Sequence, residues 1–146
     1  MSNVDFSHLV RKLIGPDRRL VRVYYYNAPV NHEEAPEQYK SQQKFFAMLR
    51  NLDYFEIRLG RLERRSGKIV EKGVDVKLGV DMVAFGARDL YDTAVLISGD
   101  GDFADAVQHV KDMGKHVELA FPHPRCFHLR QICDKFILLD SSFFTP

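Results

Sequence analysis

Apolar and polar positions follow two different periods along this chain. Phe6, Leu9, Val10, Leu13 and Ile14 fall on one helical stripe, at i, i+3, i+4, i+7 and i+8. Asp5 can cap that helix, and Gly15-Pro16 stops it. Leu20 to Tyr26 is β-branched and aromatic, which predicts a strand. Pro36 to Leu52 predicts a helix with Tyr39, Phe46 and Leu49 on one side. Phe55, Ile57 and Leu59 alternate as in a strand, and Arg61 to Glu71 predicts a basic hairpin turning at Ser66-Gly67. Val74 to Ala87 is a predicted helix, followed by Thr93 to Ser98, a short apolar strand of the buried kind. Phe103 to Met113 predicts a helix ended by Gly114. Val117, Leu119 and Phe121 alternate in another strand. Leu129, Ile132, Cys133 and Phe136 mark a last helix, which runs into Phe136 to Leu139 as an edge strand.

Helix and strand therefore alternate, the pattern of βαβ units. The expected fold class is α/β, with a mostly parallel sheet and helices on both faces. The chain has 146 residues, one domain's worth, with no repeat, low-complexity stretch or linker, so 1–146 is read as one domain. Hydrophobic residues at 45% and charged residues at 28% exclude wholesale disorder, collagen and coiled coil. Apolar runs are too short to span a membrane, and the start has neither a basic n-region nor an apolar h-region. Cys126 and Cys133 form no CxxC pair and no disulfide framework. They read as reduced thiols of a cytoplasmic protein. The net charge is only +1, so any contact with nucleic acid must come from a local patch.

In parallel sheets ligands bind beyond the carboxyl ends of the strands. That rule puts the weight on Ser98-Gly99-Asp100-Gly101-Asp102-Phe103. Carboxylates two residues apart at a strand end can point the same way. One Asp, such as Asp102, would suffice as a helix N-cap, worth about 1 kcal/mol. Two, with glycines that allow close backbone approach, point to a bound cation or a proton acceptor. Asp75, at the start of the Val74–Ala87 helix, is a third candidate; a first-turn Asp favoured by the helix dipole is its plain alternative. Asp81 lies about 600° further round that helix and reads as a supporting or surface residue.

Three hard oxygen donors suit Mg²⁺ or Mn²⁺ better than Zn²⁺. Such clusters serve phosphodiester cleavage. Arg58, Arg61, Arg64, Arg65, Lys68 and Lys72, against Glu63 and Glu71, could contact phosphates, or could simply guard an exposed strand edge. Gly99-x-Gly101-x-x-Ala104 formally fits the dinucleotide fingerprint, but Asp100 and Asp102 would repel a pyrophosphate and the strand comes late, so no dinucleotide cofactor is expected. An EF-hand fails because Phe103 and Ala104 follow Asp102. His8, His32, His109, His116, His123 and His128 show no metal-ligand spacing, and Cys126, His128 and Cys133 read as packing.

Tyr24-Tyr-Tyr26, Lys72-Gly-Val-Asp75 with Val76 and Leu78, Ser98-Gly-Asp-Gly-Asp-Phe103, and Asp134-Lys-Phe-Ile137 with Asp140 together resemble a NYN domain. The likeness is to the LabA-like branch of the PIN-like nuclease superfamily and covers nearly the whole chain. The two acidic motifs are specific as an ordered pair; each alone would be weak. The resemblance implies a PIN-like, flavodoxin-like three-layer sandwich and a Mg²⁺- or Mn²⁺-dependent ribonuclease site. It makes Asp75, Asp100 and Asp102 catalytic, metal-holding carboxylates, Ser98 a loop-shaping residue, and RNA the partner.

One departure stands out. The family opens with a strand ending in Asp, with an Asn shortly after, before its first helix. Here the helix comes at once, at Phe6, and no residue matches that Asp. In the family that strand is central. Either the domain is incomplete at its N-terminus, or it is a variant that binds RNA or a protein partner with weakened catalysis. An unfilled sheet leaves backbone groups wanting partners and invites homodimerisation.

Overall fold

The computed structural model describes residues 4–146, so the Met1–Asn3 start lies outside the described residues. The order is α1 (Phe6–Ile14), β1 (Val23–Asn27), α2 (Pro36–Arg50), β2 (Phe55–Leu59), β3 (Arg61–Arg65), β4 (Lys68–Lys72), α3 (Val74–Ala87) and β5 (Thr93–Ile97). Then come a 3₁₀ turn (Gly101–Phe103), α4 (Ala104–Asp112), β6 (His116–Phe121), α5 (Phe127–Ile132), β7 (Lys135–Leu138) and a last 3₁₀ turn (Ser141–Phe143). The α/β class follows the predicted alternation, and β1–β2 and β5–β6–β7 pair in parallel. Among the described residues no helix is long and apolar enough to cross a membrane.

The chain forms two compact units, Leu20–Leu78 and Met1–Arg19 with Gly79–Pro146. In the first, β1 and β2 run from Val23 opposite Phe55 to Asn27 opposite Leu59. The ladder starts at Val23 rather than at the predicted Leu20, because β2 begins at Phe55 and the Val23 N–H already reaches Tyr54 O at 2.7 Å. Tyr25 sends its ring edge-on to Phe45 of α2, centroids 5.5 Å apart, beside the fully buried Phe46 and Leu49. Pro36 opens α2, where a missing N–H is harmless. Gln42 fastens the loop after β1 by donating to Ala28 O at 2.9 Å and accepting from Val30 N at 2.8 Å. The β3–β4 hairpin turns at Ser66 and Gly67, both with positive φ, as a two-residue turn that matches strand twist requires.

In the second unit the sheet order is β5-β6-β7. Alternate side chains leave opposite faces. Leu9 and Leu13 of α1 pack with Val95, Ala120, Ile137 and Leu139 on one face. Val117 and Leu119, both fully buried, point to the other, where α4 contacts β6 through a helix whose Val107 and Val110 are also sealed from solvent.

Both ends of α1 are tied down. Asp5 accepts from His8 N at 3.0 Å as the N-cap. At the other end Arg18 donates to Ile14 O and Leu13 O at 2.8 and 2.7 Å, and grips both oxygens of Glu118 at 3.0 and 3.1 Å.

Two predicted boundaries shift. The helix expected from Phe103 starts at Ala104, behind the 3₁₀ turn. Phe136 belongs to β7 and not to the last helix, because the chain is already extended at Cys133 (φ −68°, ψ 151°). Asp134 then locks onto the strand, its N–H donating to Val117 O at 2.9 Å and its carboxylate accepting from Val117 N at 2.8 Å.

Candidate active site

The acidic loop leaves the carboxyl end of β5, the place where a parallel sheet offers room to a ligand. Its shape is set locally. Ser98 Oγ accepts from Asp100 N at 3.1 Å, and an Asp100 carboxylate oxygen accepts from Asp102 N at 2.9 Å. Asp100, not Asp102, is therefore the cap of the 3₁₀ turn, and Asp102 sits in its first turn. Both carboxylates are exposed. Phe103 and Ala104 are buried and anchor the loop from behind.

The glycines have distinct uses. A Cβ at Gly99 would fall 2.6 Å from the Phe121 ring, so only glycine lets the loop lie against that ring. Gly101 lies beside His128, with 3.5 Å from a Cβ there to the imidazole. Phe121 ends β6 and His128 lies in α5, so the segment after the neighbouring strand walls the acidic loop. Next to Phe121 opens a hollow lined by Phe121, His123, Pro124 and Arg125, with the His123 ring 6.1 Å from that of Phe121. From sequence none of these four residues stood out as functional, and His128 read as packing. The signal was present: β6 is parallel to β5, so its carboxyl end opens on the same side.

Asp75 is exposed in the first turn of α3, in the other unit from Asp100 and Asp102. Gly60 and Gly73 shape its approach. A Cβ at Gly60 would meet Val74 at 2.6 Å and Lys72 O at 2.7 Å, and Gly73 turns the chain with φ 82°. Asp81 is half-buried further along the same helix. Among the described residues no group of three or more His, Cys, Asp or Glu is gathered for a metal ion.

The six cations do not form one basic hairpin. Arg58 lies on β2, where it meets Glu56 at 3.4 Å and stacks over Tyr24 at 5.3 Å. In the hairpin, Arg61 faces Lys72, Arg65 faces Lys68 and Arg64 faces Ile69. The two-residue period puts Arg61, Arg65, Lys68 and Lys72 on one face with Glu63. Arg64 shares the other with Leu62, Ile69 and Glu71. Arg61, Arg64, Arg65 and Lys68 are exposed, Arg65 beside Glu63 at 3.3 Å, and Lys72 is half-buried.

Parallel strands with helices between them, and paired carboxylates at a strand's carboxyl end, fit a PIN-like, nuclease-type α/β domain. The family can be named: the NYN domain model matches residues 1–140, and the chain belongs to that family. No curated protein and no solved structure matches the chain.

Proposed function

We propose that this NYN domain is a metal-dependent ribonuclease that hydrolyses RNA phosphodiester bonds at the Ser98–Asp102 loop. The observation that carries the reading is a pair of exposed carboxylates preset at the carboxyl end of β5. Mg²⁺ takes one or two carboxylates and completes its shell with water and substrate phosphates, so Asp100 and Asp102 are an adequate protein share; Asp75, which the NYN likeness would add as a third, lies in the other unit. A bound Mg²⁺ or Mn²⁺ supplies an activated water and charge for the leaving oxygen. The chain's own residues do the rest. Ser98 fixes the Asp100 backbone, and Asp100 in turn fixes that of Asp102. Arg61, Arg64, Arg65 and Lys68, with the half-buried Arg58 and Lys72, hold RNA phosphates without reading sequence. A cytoplasmic setting and the LabA-like branch go with this reading.

The test is cleavage of labelled single-stranded RNA with Mn²⁺ or Mg²⁺. EDTA is expected to stop it, and Asp100→Asn and Asp102→Asn to slow it by about a hundredfold or more, since metal catalysis supplies several kcal/mol. A metal-dependent cut that survives both substitutions would sink the proposal. Salt-sensitive RNA binding with no cutting under any metal would make the domain a binding module instead.

A further inference from the structure

The hollow beside the acidic loop has no part in that catalytic set. It is a shallow, open hollow lined by Phe121, His123, Pro124 and Arg125, and Phe121 is shared, since its ring also lies against Gly99. Its chemistry is specific. Two rings, Phe121 and His123, stand 6.1 Å apart and inclined at 62°. An exposed guanidinium, Arg125, follows two residues on. From Phe121 to Cys133 there is no acidic residue, while Arg125 and Arg130 are cationic. Arg130 braces the lining from outside, donating to Pro124 O at 2.9 Å and lying over Phe136, and Arg125 is the Lys or Arg within the lining itself. Phe127, just beyond, is 70% exposed, a large apolar surface left in water.

An aromatic surface joined to a single cation suits a nucleobase and its phosphate. Bases stack on aromatic rings whatever their identity, and a guanidinium grips phosphate oxygens in a fork. A base held in a duplex cannot present its face to such a hollow, so the occupant is unpaired.

We propose that the Phe121–His123–Pro124–Arg125 hollow is a nucleotide subsite that seats one unpaired residue of single-stranded RNA next to the Asp100–Asp102 loop. The base stacks on the Phe121–His123 side, and Arg125 holds the adjoining phosphate. The subsite rests on the ribonuclease reading.

The experiment measures binding by fluorescence anisotropy on the full chain, with a labelled oligouridine 12-mer in EDTA so that nothing is cut. His123→Ala and Arg125→Ala alter exposed side chains and leave Phe121 against Gly99. Each is expected to weaken binding about tenfold, the scale of one stacked base or one charge-assisted contact. Arg88→Ala, an exposed cation at the opposite end of β5, is the charge-matched control and is expected to leave binding unchanged. An RNA duplex of equal length is expected to bind more weakly than the single strand and to respond less to His123→Ala. Wild-type affinity in both hollow variants, together with metal-dependent cleavage that Asp100→Asn abolishes, would overturn the subsite and leave the ribonuclease reading standing. No RNA binding and no cleavage by the wild-type chain would overturn both.

Discussion

At the residue scale, three residues decide more than their local sequence announces. Gly99 reads as a turn residue, yet its constraint is the Phe121 ring. Gly99→Ala is expected to destabilise the chain by about 1–3 kcal/mol, the range for overpacking, measured by urea unfolding. Adding Phe121→Ala should then cost less than the two separate effects summed, because one substitution removes the clash the other creates. Glu118 is the second. Burial pushes its carboxyl up, but hydrogen bonds from Arg18 and His116 and the charges of Arg18 and Lys135 outweigh it, leaving it below its ordinary 4.5. A depressed folded value stabilises the native state above pH 4.5 and is lost as pH falls through that lowered value. Glu118→Gln is therefore expected to be less stable than wild type at pH 7, by about 1–3 kcal/mol, with the gap closing as pH falls through the lowered value. A series of urea titrations from pH 7 downwards checks it. Cys133 is the third: burial, with Asp134 beside it, raises its thiol to about 11. Cys126 is buried too, so neither thiol should react with a thiol reagent at pH 8 until the chain is unfolded. The paired carboxylates at 100 and 102 were legible because strand end, glycine and acid are neighbours in sequence. Glu118 was not, because a single acid inside an apolar strand looks like an outward-facing position.

At the scale of elements, the hairpin shows what local chemistry can and cannot say. Ser66-Gly67 announces the turn, since few pairs tolerate two positive φ values. It does not announce that Arg58 belongs to β2, nor that Arg64 lies on the opposite face from Arg61, Arg65, Lys68 and Lys72. That division predicts how RNA binding depends on salt. Removing Arg65 and Lys68 together should lower the slope of log affinity against log salt by about 1.4, or about 0.7 for each phosphate contact to a single strand. Equilibrium binding across a salt series tests this, and an unchanged slope would take those residues out of the interface. The boundary between α5 and β7 was misplaced for a related reason. Phe136 continues the helical spacing of Leu129, Ile132 and Cys133, but Asp134 meets the β6 backbone first, and Lys111 takes the Ile132 carbonyl at 2.7 Å.

At the scale of the whole molecule, β5 is an edge strand of the β5-β6-β7 sheet among the described residues. Its sequence, Thr93-Ala-Val-Leu-Ile97, has none of the lysines or prolines that usually guard an edge, and Ile97 is 48% exposed. Such an edge pairs readily with another chain. Sedimentation velocity is expected to show a mass above 16.9 kDa that rises with concentration; a constant monomer mass would refute this. The α/β alternation, the helix stops, the hairpin and the acidic loop could all be read from the chain, because each depends on periodicity or on residues a few positions apart. Arg18 gripping Glu118 across 100 residues, Phe121 forcing a glycine at 99, and the hollow around His123 and Arg125 emerged only when distant strands were laid side by side. Contacts made by chain return leave no period in the sequence, and parallel pairing is set by the packing of the helices that carry the chain back.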